Sequence, residues 1–168
     1  NVFEELDGFD EKFFVSFEDV DISWRAWMID YKSILVPKSI VHHLGGQTIM
    51  GKKPEIAFHG FKNQLSMKIT NFEPSLAVRN TLLFFVIYGF RELKIWLDYK
   101  LRGTTTLTST NYENKIAEKP SFKIITKSIL WILCNPGYLV KKQRKVNYSR
   151  KISTKTLMKM NIISNKIQ

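Results

Sequence analysis

The sequence predicts an α/β fold in its first segment, residues 1–72, followed by a mainly helical basic extension, residues 73–168. Two observations lead there. A helix-spaced run is followed by two short extended pieces broken by proline and glycine, and then by long amphipathic helical patterns. Charge is also uneven along the chain: residues 1–60 carry 6 Lys and Arg against 10 Asp and Glu, a net of −4, whereas residues 61–168 carry 20 against 5, a net of +15.

In order along the chain, Asp10 caps a short helix that buries Phe13 and Phe14. From Glu18 the apolar residues Val20, Trp24, Trp27 or Met28, and Tyr31 recur at helical spacing, which sets Glu18 and Asp19 in the first turn of a helix. The free amides and dipole of that turn stabilise negative charge. Asp21 and Arg25 stand at i and i+4, the spacing of a surface ion pair. Ser33 to Val36 reads as a strand stopped by Pro37, Ser39 to His42 as a second extended piece, and Gly45-Gly46 as a turn. Residues 47–72 read as loop and short helix passing over a cleft. Pro74 opens a long helix that runs to Arg102 and is stopped by Gly103. Thr104 to Thr110 forms a polar linker, residues 121–134 a second amphipathic helix ended by Asn135-Pro136-Gly137, and the chain beyond Lys141 is rich in bases.

Composition narrows the chemistry. Cys134 is the single cysteine, so no intrachain disulfide forms, and its apolar neighbours predict a buried thiol. Residues 81–90 and 124–134 are apolar but stop short of the roughly 20 residues a spanning helix needs. There is no glycine-rich phosphate loop, no Cys-x-x-Cys pair and no Ser-His-Asp order worth proposing.

The concentrated signal lies in residues 8–48. Phe9-Asp10-Glu11, Phe13-Phe14, Glu18-Asp19-Val20-Asp21-Ile22, Arg25, Tyr31, Val36-Pro37, His43, Gly46 and Thr48 follow one another in that order. This run resembles the catalytic half of family 2 glycosyltransferases of the rhamnosyltransferase-like kind, inverting enzymes with the GT-A fold. Asp7 stands where that family often has a glycine, Asp30 replaces a glycine before Tyr31, and Thr48 replaces a serine. The resemblance implies that residues 1–72 are the acceptor and base half of a GT-A domain. The Asp-x-Asp motif of a nucleotide-binding half is not found upstream of the run, so the chain reads as a C-terminal portion of a transferase.

Residue by residue, the resemblance implies Asp19 as the general base and Glu18 as its neighbour positioning the acceptor. Gly8, Asp10, Glu11 and Trp24 would contribute to acceptor binding, and His43, with His42 as its rival, would ligate a divalent Mn or Mg held mainly by residues outside this segment. Trp24 and Trp27 suit stacking on a sugar, although an amphipathic helix commits at least one of them to the core. The implied reaction moves a sugar from a nucleotide-sugar donor to a glycan or lipid-linked acceptor. The alternative is a non-catalytic protein using its basic half to bind a membrane surface or, less favoured for want of a reading motif, nucleic acid. Positive charge on helices bearing Phe84, Phe85, Trp96 and Trp131 points to an anionic membrane surface, and the resemblance implies a cytoplasmic location peripheral to that membrane.

Overall fold

The computed structural model describes residues 1–42, 53–103, 108–111, 114–117 and 122–163. Its elements in chain order are α1 (Val2–Glu5), α2 (Glu18–Met28), α3 (Lys53–Asn71), α4 (Pro74–Arg102), β1 (Thr108–Asn111), β2 (Asn114–Ala117), α5 (Phe122–Cys134), α6 (Pro136–Ser149) and α7 (Thr154–Lys159). Helix dominates, and this overturns the expected α/β fold. The pieces at 33–36 and 39–42 form no strand and are exposed, with Leu35 89% open to solvent. Apolar β-branched sequence favours extended backbone, but a GT-A sheet needs neighbouring strands to accept its hydrogen bonds, and the described residues supply none for these pieces. Their only sheet is the antiparallel hairpin β1-β2, with Thr108 opposite Ala117, and its first strand begins within the expected linker, Thr104 to Thr110.

Local rules account for most helix ends. Asn1 and Glu4 form a reciprocal capping box on α1. Proline at the first turn opens both α4 and α6, where its missing amide costs nothing. Gly103 ends α4 in the left-handed conformation, donating its amide to the Tyr99 carbonyl. Pro136 therefore has two roles, ending α5 and starting α6.

The helix α3 is central and packs against α2, α4, α5 and α6. Its buried residues are mostly polar: beside Leu65 and Met67 they include Lys62, Asn63, Ser66, Thr70 and Asn71. That explains why residues 47–72 read as loop with only a short helix, since the buried face shows no apolar periodicity. These polar groups tie distant segments to α3. The Asn63 amide donates to the Val15 and Ser16 carbonyls at 2.9 and 2.7 Å. Gln143 donates to the Ile69 carbonyl at 2.7 Å, and Arg150 donates to that of Asn71 at 2.5 Å. Such bonds satisfy the carbonyls at a helix C-terminus that would otherwise be orphaned.

The main apolar core draws on both halves of the chain, joining Phe13, Trp24 and Met28 to Met67, Phe72, Ala77, Val146 and Leu157. Its geometry also comes from the backbone: the amides of Lys151 and Ile152 both donate to the Met28 carbonyl at the end of α2. Among the described residues no helix is long and apolar enough to cross a membrane.

Candidate functional site

The segment before α2 is shaped by backbone in an uncommon conformation. Asp7 has φ of 65°, and Ser16 and Phe17 are two successive non-glycine residues at 69°. Left-handed backbone costs a residue with a β-carbon about 1 kcal/mol or more, so such a pair persists only where surroundings enforce it. Here Asn63 holds the Val15 and Ser16 carbonyls. Asp10 does not cap a helix as expected; its carboxylate accepts from the Lys12 amide at 2.9 Å and closes a turn. The turn buries Phe13 and leaves Phe14 exposed.

Arg25 anchors this segment to α2. Its Nε donates to Asp21 at 2.9 Å, one terminal nitrogen donates to the Leu6 carbonyl at 2.5 Å and the other to that of Gly8 at 2.8 Å. Asp21 is fully buried and also accepts from Asn71 at 2.9 Å and from Lys142 at 3.1 Å. The i, i+4 pair expected at the surface is thus the centre of a buried network. A carboxylate can sit there only because three donors surround it.

Between residues 5–12 and α6 lies an open cleft of about 810 Å³, within the size range of small-molecule sites. Gly8, Asp10 and Glu11 line it on one side. On the other, α6 contributes Tyr138, Lys142, Lys145 and Ser149 at i, i+4, i+7 and i+11, one face of the helix. Asp10 accepts from Tyr138 and, at 2.5 Å, from Lys142. Burial pushes the Asp10 pKa up, but the Lys142 ammonium and the hydrogen bonds from Lys142 and Tyr138 outweigh it, and the net shift is downward. Burial raises the Tyr138 hydroxyl far above its ordinary value, helped by its hydrogen bond to Asp10, so it stays a donor. At the mouth, Lys145 holds Asp7 at 2.5 Å, and its hydrogen bond and charge lower the Asp7 pKa.

The remaining expected site residues fall elsewhere. Asp19 is exposed in the first turn of α2, its carboxylate accepting from the Val20 amide at 2.8 Å. Glu18 beside it is half-buried and directs Oε2 into a position with neither solvent nor a hydrogen-bond partner among the described residues. Neither lines the cleft; the contribution of α2 to that wall is Arg25 and Met28 at its other end, followed by its C-cap Ile29. Trp24 is a core residue rather than a cleft residue, packed edge-on against Phe72 with ring centroids 4.8 Å apart. His43 lies outside the described residues. Among those described, no group of three or more His, Cys, Asp or Glu is arranged to hold a metal. Cys134 is exposed rather than buried.

Sequence reasoning missed Tyr138 and Lys142, which lie 128 and 132 positions from Asp10. Their i, i+4 spacing after Pro136 was the available signal, and it marks a helix face without naming its partner. Family models, curated proteins and solved structures were all compared with this chain, and none matches it.

Proposed function

We propose that residues 7–25 form the acceptor side of a glycosyl-transfer site, with the cleft beside Asp10 seating a sugar-containing acceptor. The observation that carries this reading is the lining of the cleft. Gly8, Asp10 and Glu11 meet there with the exposed rings of Phe9 and Tyr148, and carboxylates beside aromatic faces suit a ligand rich in hydroxyls and C–H surfaces.

In the transfer, an acceptor hydroxyl attacks the anomeric carbon of a nucleotide sugar. A C–O bond to the acceptor forms, the bond to phosphate breaks, and the hydroxyl proton passes to a base. Asp19 is that base in this proposal, because the motif resemblance assigns it and because its carboxylate is exposed at a helix N-terminus that stabilises negative charge. The strained Ser16-Phe17 turn and the unpartnered Glu18 oxygen support a working role for this end of α2. Asp19 is separate from the cleft lining, so the reacting hydroxyl must extend from the cleft toward that helix end. A divalent Mn or Mg would accompany the donor diphosphate, with His43 as a ligand. The acceptor is a glycan or lipid-linked sugar at the cytoplasmic face of a membrane.

The test is nucleotide release from a panel of nucleoside-diphosphate sugars with glycan acceptors. Asp19→Asn is expected to lower turnover by about 10²- to 10⁴-fold while leaving donor affinity unchanged. Near wild-type turnover in that variant would remove Asp19 as the base. A second reading, a non-catalytic basic binding protein, is favoured by the net charge of +15 on residues 61–168. Absence of turnover with every donor, combined with retained binding of an anionic surface, would select it.

A further inference from the structure

The long helix α4 has a second face that the described residues leave uncovered. Its buried residues, Ala77, Asn80, Phe84, Glu92 and Ile95, turn toward the interior. On the opposite side Val78, Leu82, Val86, Phe90, Leu93, Leu97 and Leu101 are all exposed. They are spaced by four, four, four, three, four and four residues, one continuous stripe about 35 Å long. Exposure is not marginal: Phe90 is 69% and Leu101 79% open. Single exposed apolar residues are ordinary, but seven in line form a patch of the kind that marks an interaction site.

Charge identifies the occupant. At about 100° per residue, with Val86 as origin, Arg79 and Lys100 fall within the arc of the stripe and Lys94 at its margin. All three are exposed, and Lys100 lies over the Trp96 ring at 4.9 Å. The helix's two acids, buried Glu92 and half-buried Asp98, fall about 120° to either side. The uncovered face therefore carries apolar side chains and cations without acids. Long basic side chains extend past such a stripe to keep their charges at the headgroup level. The residues 61–168 around it carry a net charge of +15. We propose that this face of α4 lies in the headgroup layer of an anionic membrane, parallel to its plane. Of the four aromatics that first suggested a lipid surface, only Trp96 is well exposed. Phe84 is buried, Phe85 is half-buried, and Trp131 is covered by the Lys62 ammonium at 4.7 Å. The inference stands independently of the transfer reading.

The experiment is flotation of the 168-residue chain with phosphatidylcholine vesicles with or without phosphatidylglycerol. Binding to the mixed vesicles is expected at low salt. A fraction should persist near 1 M salt, where charge attraction is screened within about 3 Å but inserted apolar area is unaffected. The triple variant Leu82→Gln/Val86→Gln/Leu97→Gln should bind about tenfold more weakly and lose the salt-resistant fraction. Reversing Arg79, Lys94 and Lys100 to Glu leaves the apolar stripe whole and should abolish the preference for phosphatidylglycerol. No vesicle binding at low salt, or a salt-resistant fraction that survives the triple variant, would overturn the proposal. So would unchanged binding of the charge-reversed variant. Light scattering that finds a dimer converted to monomer by the triple variant would instead assign the face to a second copy of the chain.

Discussion

The helices α3 and α4 lie side by side and invert one another. One buries Lys62, Asn63, Ser66, Thr70 and Asn71 in the middle of the molecule; the other exposes seven large apolar side chains along its outer face. Both depart from the usual partition of residues between interior and surface, for different reasons. Much of the polar interior of α3 has partners within the chain: Lys62 donates to the Lys12 carbonyl, the Asn63 amide to those of Val15 and Ser16, and Asn71 to Asp21, whereas the Ser66 hydroxyl has none among the described residues. Hydrogen bonds that join segments some 50 residues apart fix where the site-bearing loop lies, a specificity that apolar contacts alone would not give. For the outer face of α4 the described chain provides no cover. The first helix organises this protein internally, and the second points outside it.

The largest effect should come from the buried charges. Arg25→Met removes one of the three donors to Asp21 and leaves the Leu6 and Gly8 carbonyls without theirs, while Lys142 and Asn71 stay in place. Breaking a buried pair from one side costs about 3–5 kcal/mol, which urea denaturation should read directly. Lys145→Ala, which breaks the exposed pair with Asp7, should cost no more than about 1 kcal/mol. Equal effects from the two would show that the interior network does not organise the loop as described.

A second effect concerns Lys62. Burial lowers its pKa from 10.5 to about 8, partly opposed by the Asp10 carboxylate. The folded protein therefore releases this proton at lower pH than the unfolded chain, and between those values the unfolded state binds more protons. Stability must then rise with pH across the window. Between about pH 7 and pH 10 the wild-type protein should gain about 2 kcal/mol relative to Lys62→Met, which lacks the titrating group. A difference between the two proteins that stays flat over that range would mean that the folded state carries the charge without penalty.

Much of the helical outline was legible in the sequence because it rests on local rules. Pro74, Gly103 and Pro136 act through φ preference and missing amides, which neighbouring residues alone determine. The expected α/β fold failed because short apolar pieces at 33–36 and 39–42 specify extended backbone but not a partner strand. α3 was underestimated because its buried face is polar and gives no apolar period. In the candidate site, the residues on the cleft's near wall, Gly8, Asp10 and Glu11, belong to the quoted motif. The far wall was invisible, since nothing in the spacing of Tyr138, Lys142 and Lys145 says that residues 5–12 will face them. Trp24 shows the reverse limit: a tryptophan on an amphipathic helix fits a sugar or a core equally well until its neighbour, Phe72, is known.

The smallest expected effect sharpens the comparison most. If the outer face of α4 has no role inside the fold, polar substitutions there should leave stability nearly untouched. Leu82 and Val86 are 61% and 52% exposed, and glutamine is a good helix former, so neither packing nor backbone propensity changes much. Leu82→Gln and Val86→Gln should each shift the unfolding free energy by less than about 0.5 kcal/mol. Leu65→Ala on α3, a fully buried position, should cost about 2–5 kcal/mol and supplies the scale against which that silence is judged. Thermal and urea unfolding of the three variants side by side makes the test. A cost above about 1 kcal/mol at Leu82 or Val86 would mean that the stripe already packs against a further surface in the free protein, since surface positions without such a partner stay within about 0.5 kcal/mol.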